Sequence, residues 1–138
     1  AVVDDLAHHL HDKIEQRADD LAAGRSYYLE DAETVLVAYG SPARSALQVV
    51  HDARRNGQRL GLLELQTLWP FPTAMIRDAC AGARATIVVE MNMGQMHKQV
   101  RNAVGDPQNV FLANRVDGQF ITPRDIRNVL RIVEGQGV

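Results

Sequence analysis

Four short apolar runs, each followed by a segment of helical periodicity, limit how this chain can fold. The runs are ETVLVAYG (residues 33–40), QRLGLLEL (58–65), ATIVVEMN (85–92) and NVFLAN (109–114). Each is too short for a buried helix and rich in aliphatic residues, which reads as strand. The segments SPARSALQVVHDARRNG (41–57), PTAMIRDACAGA (72–83), GQMHKQVRNAVG (94–105) and TPRDIRNVLRIVEG (122–135) read as helices. Strands alternating with helices of this length form parallel β-α-β units with right-handed crossovers. The first three runs are almost wholly apolar, as expected for strands covered on both faces. The spacing therefore predicts an α/β fold, a three-layer α/β/α sandwich.

Two features flank this core. RSYYLE (25–30) is placed to add a short edge strand. Upstream, Val3, Leu6, Leu10, Ile14, Ala18 and Leu21 recur at steps of three and four, predicting one long amphipathic helix that ends near Gly24. We divide the chain into residues 1–24, a helix or linker leading in from an upstream domain, and residues 25–138, the sandwich. The first residue is Ala1 and no secretory signal pattern follows it, which suggests processing or a piece of a longer polypeptide. At the other end Thr122 is the expected N-cap, with Pro123 first in the helix, Asp125 in its first turn, and Ile126, Val129, Leu130 and Val133 as its buried stripe.

Ligands of open α/β sheets gather at the carboxyl ends of the strands, where the strand order reverses. Three loops lie there. In YGSPAR, Gly40 permits a tight turn, Ser41 is placed as an N-cap, and Arg44 sits in the first turns of the helix. The bland reading is capping by Ser41; the functional one is an anion held at the helix N-terminus. Neither nucleotide fingerprint, G-x-G-x-x-G nor G-x-x-x-x-G-K-[ST], is present. In VVEMNMGQMHKQ, Glu90, Asn92 and Gln95 bring polar groups to the edge, with Gly94 completing a turn. Met91, Met93 and Met96 read either as core filling or as adaptable interface, and their clustering favours interface. In LWPFPTAM, Pro70 holds Trp69 extended and Pro72 is placed to begin the next helix. Trp69 and Phe71 either cap the core or form a stiffened anchor for another protein surface. The candidate interface is thus Trp69, Phe71, Met91, Met93 and Met96. The candidate crevice or anion site is Gly40, Ser41, Arg44, Asn92 and Gly94.

Other function classes find little support. A net charge of −2 offers no basic footprint for nucleic acid, and the apolar runs are far shorter than a membrane span. The lone Cys80 excludes an internal disulfide, fits a reducing, cytoplasmic setting, and reads as a small buried thiol. His8 and His11 share a helical face, but no third ligand is placed to complete a metal site with them. No nucleophile–base arrangement is readable, so no catalytic residue, cofactor ligand or metal ligand is assigned to this chain.

Three phrases in order, VLVAYGSPARSA, GLLELQTLWPFP and IVVEMNMGQM, resemble the C-terminal domain of the α subunit of 2-oxoacid:ferredoxin oxidoreductases, most closely the 2-oxoglutarate type. TLWPFP and EMNMGQ carry most of the likeness. The resemblance implies a transketolase C-terminal-like fold: five mostly parallel strands in the order 1-3-2-4-5, with strand 1 antiparallel. RSYYLE then becomes strand 1, and Ser41 and Asn92 face one another across the switch point. It also implies a holoenzyme that converts a 2-oxoacid and CoA to acyl-CoA and CO2 with ferredoxin as acceptor, using thiamine diphosphate, magnesium and iron–sulfur clusters. The implied partners are the upstream thiamine-binding domain of the α subunit and the β subunit, and this chain would be an assembly domain inactive alone. Pyruvate or branched-chain oxidoreductases, or a stand-alone anion-binding module, are the alternatives.

Overall fold

A computed structural model describes residues 24–68, 71–91, 94–115, 117 and 119–135. The N-terminal helix expected upstream of Gly24 lies outside them. The strands are β1 (Gly24–Tyr27), β2 (Thr34–Tyr39), β3 (Leu60–Leu65), β4 (Ala85–Glu90) and β5 (Val110–Asn114). The helices are α1 (Pro42–Arg55), α2 (Thr73–Cys80), α3 (Gln95–Ala103) and α4 (Pro123–Gly135). They form one five-stranded sheet in the order β1-β3-β2-β4-β5. β1 runs antiparallel to β3, from Gly24 opposite Leu65 to Tyr27 opposite Leu62, and the other pairings are parallel. This is the topology the resemblance implies.

The two-residue period of the strands divides the core. Leu36, Ala38, Leu62, Ile87 and Val89 face α1 and α4, meeting Ala46, Val50, Ile126 and Leu130. Val35, Val37, Leu63, Leu65 and Val88 face the other way, onto Ile76 of α2 and Val100 of α3. Because both faces are covered, the central strands carry no polar alternation. Two buried layers result, and each helix contributes one apolar stripe.

The β1–β2 connection is held from the core side. An added Cβ at Gly61 in β3 would lie 2.8 Å from the Tyr28 carbonyl oxygen and 2.9 Å from Ala32 Cβ, so only glycine lets this segment approach. Tyr28 takes a left-handed φ of 58°, uncommon for a side-chain-bearing residue. Arg54 of α1 holds it there, donating to the Tyr28 carbonyl at 2.9 Å and to both oxygens of Asp31 at 2.7 and 3.0 Å. Its guanidinium also sits 5.1 Å from the centre of the Tyr28 ring. That partnership holds the Asp31 carboxyl below its ordinary range.

Helix ends follow the sequence with small shifts. α1 ends ahead of Gly57, whose φ of 78° breaks the helix as expected. Pro72 precedes α2 rather than opening it, and α2 and α3 end at Cys80 and Ala103, two or three residues short of the ends of the segments read as helical. Cys80 is buried, and burial pushes its thiol up despite an opposing hydrogen bond with Thr86.

Candidate functional site at the carboxyl edge

The switch point falls between β2 and β4, which are adjacent in the sheet while their following helices lie on opposite faces. Gly40, with φ of 75°, turns the chain out of β2 into α1. Ser41 is not the side-chain cap that its position suggests. It is already helical at φ −61°, ψ −34°, and its hydroxyl makes no capping bond. The hydroxyl instead donates to the sulfur of Met91 at 3.7 Å, closing the loop after β2 onto the loop after β4. Where sequence reasoning sets Ser41 against Asn92 across a crevice, the structure seats it on the residue before; Asn92 itself lies outside the described residues. Ser45, one turn on, donates to the Ile121 carbonyl at 2.9 Å and ties α1 to the segment before α4.

Glu90 is the chemical centre of the second loop. It ends β4 only 4% exposed. Its two oxygens accept the backbone amides of Gly94 and His97, each at 2.8 Å. A carboxylate thus satisfies two donors at the start of α3 and complements the positive end of its dipole. Gly94 stands at φ 87°, a conformation that presents its amide to Glu90 at little steric cost.

The backbone donors at both helix starts have partners of their own. At α1, Pro42 has no N–H, and the Ala43 and Arg44 amides are directed to the carbonyls of Gly40 and Ser41 at 3.0 and 3.1 Å. At α3, the Gly94 and His97 amides are taken by the Glu90 carboxylate. Among the described residues, Gly40, Ser41, Arg44 and Gly94 come together at one edge, where the Ala43, Arg44, Gly94 and His97 amides already have partners.

The interface candidates divide. Met96 is 7% exposed and packs beneath the sheet with Val88 and Val100, so it is core and leaves the interface set. Phe71 and Met91 are half-buried, packed against the α2–α3 and α1–α4 layers respectively. Trp69 and Met93 lie outside the described residues. Sequence reasoning missed three others. Tyr39 at the end of β2, Leu68 after β3 and Phe120 after β5 are 43%, 37% and 73% exposed at this same edge. Their signal was position: each is a large apolar residue at the last paired position of a strand or in the loop that follows one.

The loop after β5 is a polar clasp beneath Phe120. Arg115 donates to Asp117 at 3.1 Å, to Asp125 at 3.2 Å and to Gln119 at 3.1 Å. Asp117 holds the Arg115 guanidinium above its already high range. Thr122 and Asp125 form a reciprocal cap: the Asp125 carboxylate accepts the Thr122 amide at 2.9 Å, and the Asp125 amide reaches the Thr122 hydroxyl at 3.3 Å.

An iron–sulfur cluster needs several thiolates, and the sequence holds one cysteine, buried at the end of α2. Among the described residues, no group of three His, Cys, Asp or Glu is arranged to hold a metal ion, and no helix is long and apolar enough to cross a membrane. His8, His9 and His11 lie outside the described residues. Cavities of 720 and 530 Å³ open at the opposite, amino edge of the parallel strands.

Residues 32–126 match the family described as pyruvate:ferredoxin oxidoreductase core domain II. The chain is 35% identical over 123 residues to 2-oxoglutarate synthase subunit KorA of Methanothermobacter marburgensis, covering 89% of this chain and 33% of that protein. It is 44% identical over 110 residues to ketoisovalerate oxidoreductase subunit VorB of the same organism, covering 80% of this chain and 31% of that protein. The chain thus spans about a third of the length of these relatives. In structure it matches the 2-oxoglutarate:ferredoxin oxidoreductase of Magnetococcus marinus, solved with 2-oxoglutarate, coenzyme A and succinyl-CoA bound. That match has a TM-score of 0.74 at 20% identity and covers 91% of this chain and 23% of the other.

Proposed function

The chain belongs to the pyruvate:ferredoxin oxidoreductase core domain II family, and on that premise we propose that it is the C-terminal assembly domain of the α subunit of a 2-oxoglutarate:ferredoxin oxidoreductase. The whole enzyme would oxidise 2-oxoglutarate with CoA to succinyl-CoA and CO2, passing the electron pair to ferredoxin in the cytoplasm. Thiamine diphosphate with magnesium, and iron–sulfur clusters, would supply the carbanion and electron-transfer chemistry from other domains and subunits. This chain's single cysteine does not fit an iron–sulfur cluster, and the described residues are assigned no step of that chemistry.

The observation that carries the docking role is the placement of Tyr39, Leu68 and Phe120 on one edge of the sheet, beside half-buried Phe71 and Met91. Large apolar side chains gathered in loops at one edge mark a surface that another body covers. Trp69 and Met93 belong to the same loops. The body proposed is the thiamine-binding part of the α subunit, with the β subunit behind it. Glu90 and the Ser41–Met91 contact hold the loops in shape for that docking.

Co-purification of this chain with the separately expressed upstream domain and β subunit tests the reading. Phe120→Asp, Leu68→Asp and Trp69→Ala should each weaken capture while leaving the circular dichroism of the chain unchanged. Capture unaffected by all three would sink the docking role. A branched-chain 2-oxoacid enzyme is the second reading, favoured by the 44% identity to the ketoisovalerate subunit. Turnover of 2-oxoglutarate against 3-methyl-2-oxobutanoate by the reconstituted enzyme separates the two, because the choice lies in pocket residues elsewhere.

A further inference from the structure

The two edge strands of the sheet are built differently. β1 carries exposed Arg25 and Ser26 and leads into the left-handed Tyr28, features that blunt an edge against further pairing. β5 has none of them. Its sequence, VFLAN, contains no charge, glycine or proline, and among the described residues only β4 pairs with it. The outer row of backbone donors and acceptors on β5 is a template for another strand.

Apolar side chains flank that row on both faces. On the α1–α4 face, Phe111 and Val129 are half-buried and Ile132 is 61% exposed. α4 lies over β4 and β5, and its Arg127 reaches Asp52 of α1 at 2.7 Å. At about 100° per residue, Val129 and Ile132 stand on the flank opposite Arg127, which overhangs the outer edge of β5. On the other face, Leu112 is half-buried against the α2–α3 layer.

The strand is complementary to itself. Antiparallel pairing of two β5 strands about a two-fold axis at Leu112 sets that residue against its own copy. On the opposite face it sets Phe111 against Ala113 of the second copy, and the reverse, a large side chain against a small one. No like charges are forced together. Lys98 and Arg101 lie beside Pro107, at one end of β5, and the axis carries their copies to the other end. Pro107 and its copy would stand about ten residues apart along the pair, ~33 Å at ~3.3 Å per residue, beyond the ~8–10 Å reach of screened charges.

The area reaches what a dimer needs. β5 spans ~17 Å at ~3.3 Å per residue, and two helices ~10 Å across with the sheet between them make the edge ~30 Å thick. That face is about 500 Å² on each copy and about 1,000 Å² for the pair, where specific interfaces begin.

We infer that two copies of this chain join through their β5 edges, making one continuous sheet with the two α4 helices antiparallel across the axis. The face is separate from the carboxyl edge, so the inference does not rest on the docking role proposed above.

Sedimentation of the full chain over a hundredfold concentration range, with thiol cross-linking beside it, tests the pairing. Wild type should sediment as a dimer that dissociates on dilution. Ile132→Asp, at an exposed position, should raise the dissociation constant at least tenfold with unchanged circular dichroism. In a Cys80→Ala background, Leu112→Cys should oxidise to a disulfide-linked dimer, since a residue at the axis meets its copy within the ~4.4–6.8 Å between Cα atoms that a disulfide requires. Ser26→Cys on β1 should stay unlinked in the same background. A chain monomeric throughout the range would overturn the inference. So would a dimer indifferent to Ile132→Asp, or one that links through Ser26→Cys and not through Leu112→Cys, which would place the pairing at β1.

Discussion

The Glu90 carboxylate, 4% exposed at the end of β4, accepts the Gly94 amide at 2.8 Å and so closes the turn that leads into α3. Its other oxygen does the same for His97. One side chain thereby joins the central sheet to a helix on the α2–α3 face. Charge-assisted bonds to buried donors are among the stronger single contacts in a fold.

Glu90→Gln keeps the shape but turns one acceptor into a donor aimed at an amide. It should lower stability by about 2 kcal/mol, and Glu90→Ala by more, since both amides then lose their partner. Urea unfolding at constant m-value measures the loss. A cost below ~0.5 kcal/mol for both would show that water replaces the carboxylate freely.

Two hydroxyl residues stand ahead of a helix-initiating proline, and the structure assigns them different worth. Thr122 takes part in a reciprocal cap with Asp125, whereas the Ser41 hydroxyl points to Met91. Thr122→Ala should cost about 1 kcal/mol and Ser41→Ala less than ~0.5 kcal/mol. Equal costs in chemical denaturation would contradict the geometry at Ser41.

Asp125 links stability to pH. The Thr122 amide first, then the Thr122 hydroxyl and Arg115, hold its carboxyl below the ordinary value of 3.8. A carboxyl depressed in the folded state contributes stability above its unfolded value and loses it as pH falls through the folded one. Wild type should therefore exceed Asp125→Asn in denaturation midpoint near neutral pH, with the gap closing below 3.8. Asp31, also lowered by its Arg54 partner, is remote from this network, titrates in both proteins and cancels in the comparison. A gap independent of pH would show that only the hydrogen-bond geometry, not the charge, matters.

Gly61→Ala would place a methyl against the Tyr28 carbonyl and Ala32, neither of which can yield without moving the β1–β2 connection. We expect a cost of about 1–3 kcal/mol and faster exchange across residues 28–32. Gly82→Ala, with nothing within 4 Å of the added carbon, should stay within ~0.5 kcal/mol of wild type. Thermal unfolding of the pair makes the comparison.

Local features were legible without coordinates. The apolar runs located β2 to β5 because strands buried on both faces need uninterrupted aliphatic residues. Thr122, Pro123 and Asp125 announced the start of α4 because capping involves groups three residues apart. The order of the strands and the antiparallel β1 came from the resemblance, since periodicity says nothing about which strands pair. Tertiary structure decided the rest. Met91 and Met96 have the same chemistry, yet one lies half-buried under Ser41 and the other in the core, a difference set by which helix face meets the sheet. Glu90 read as a polar residue at an edge until α3 brought two amides onto it. Tyr39, Leu68 and Phe120 are far apart in the chain and share an edge only because β2, β3 and β5 end on the same side of the sheet. Sequence encodes what neighbours along the chain require of one another; which distant loops share an edge is settled by strand order and by the crossovers that link them.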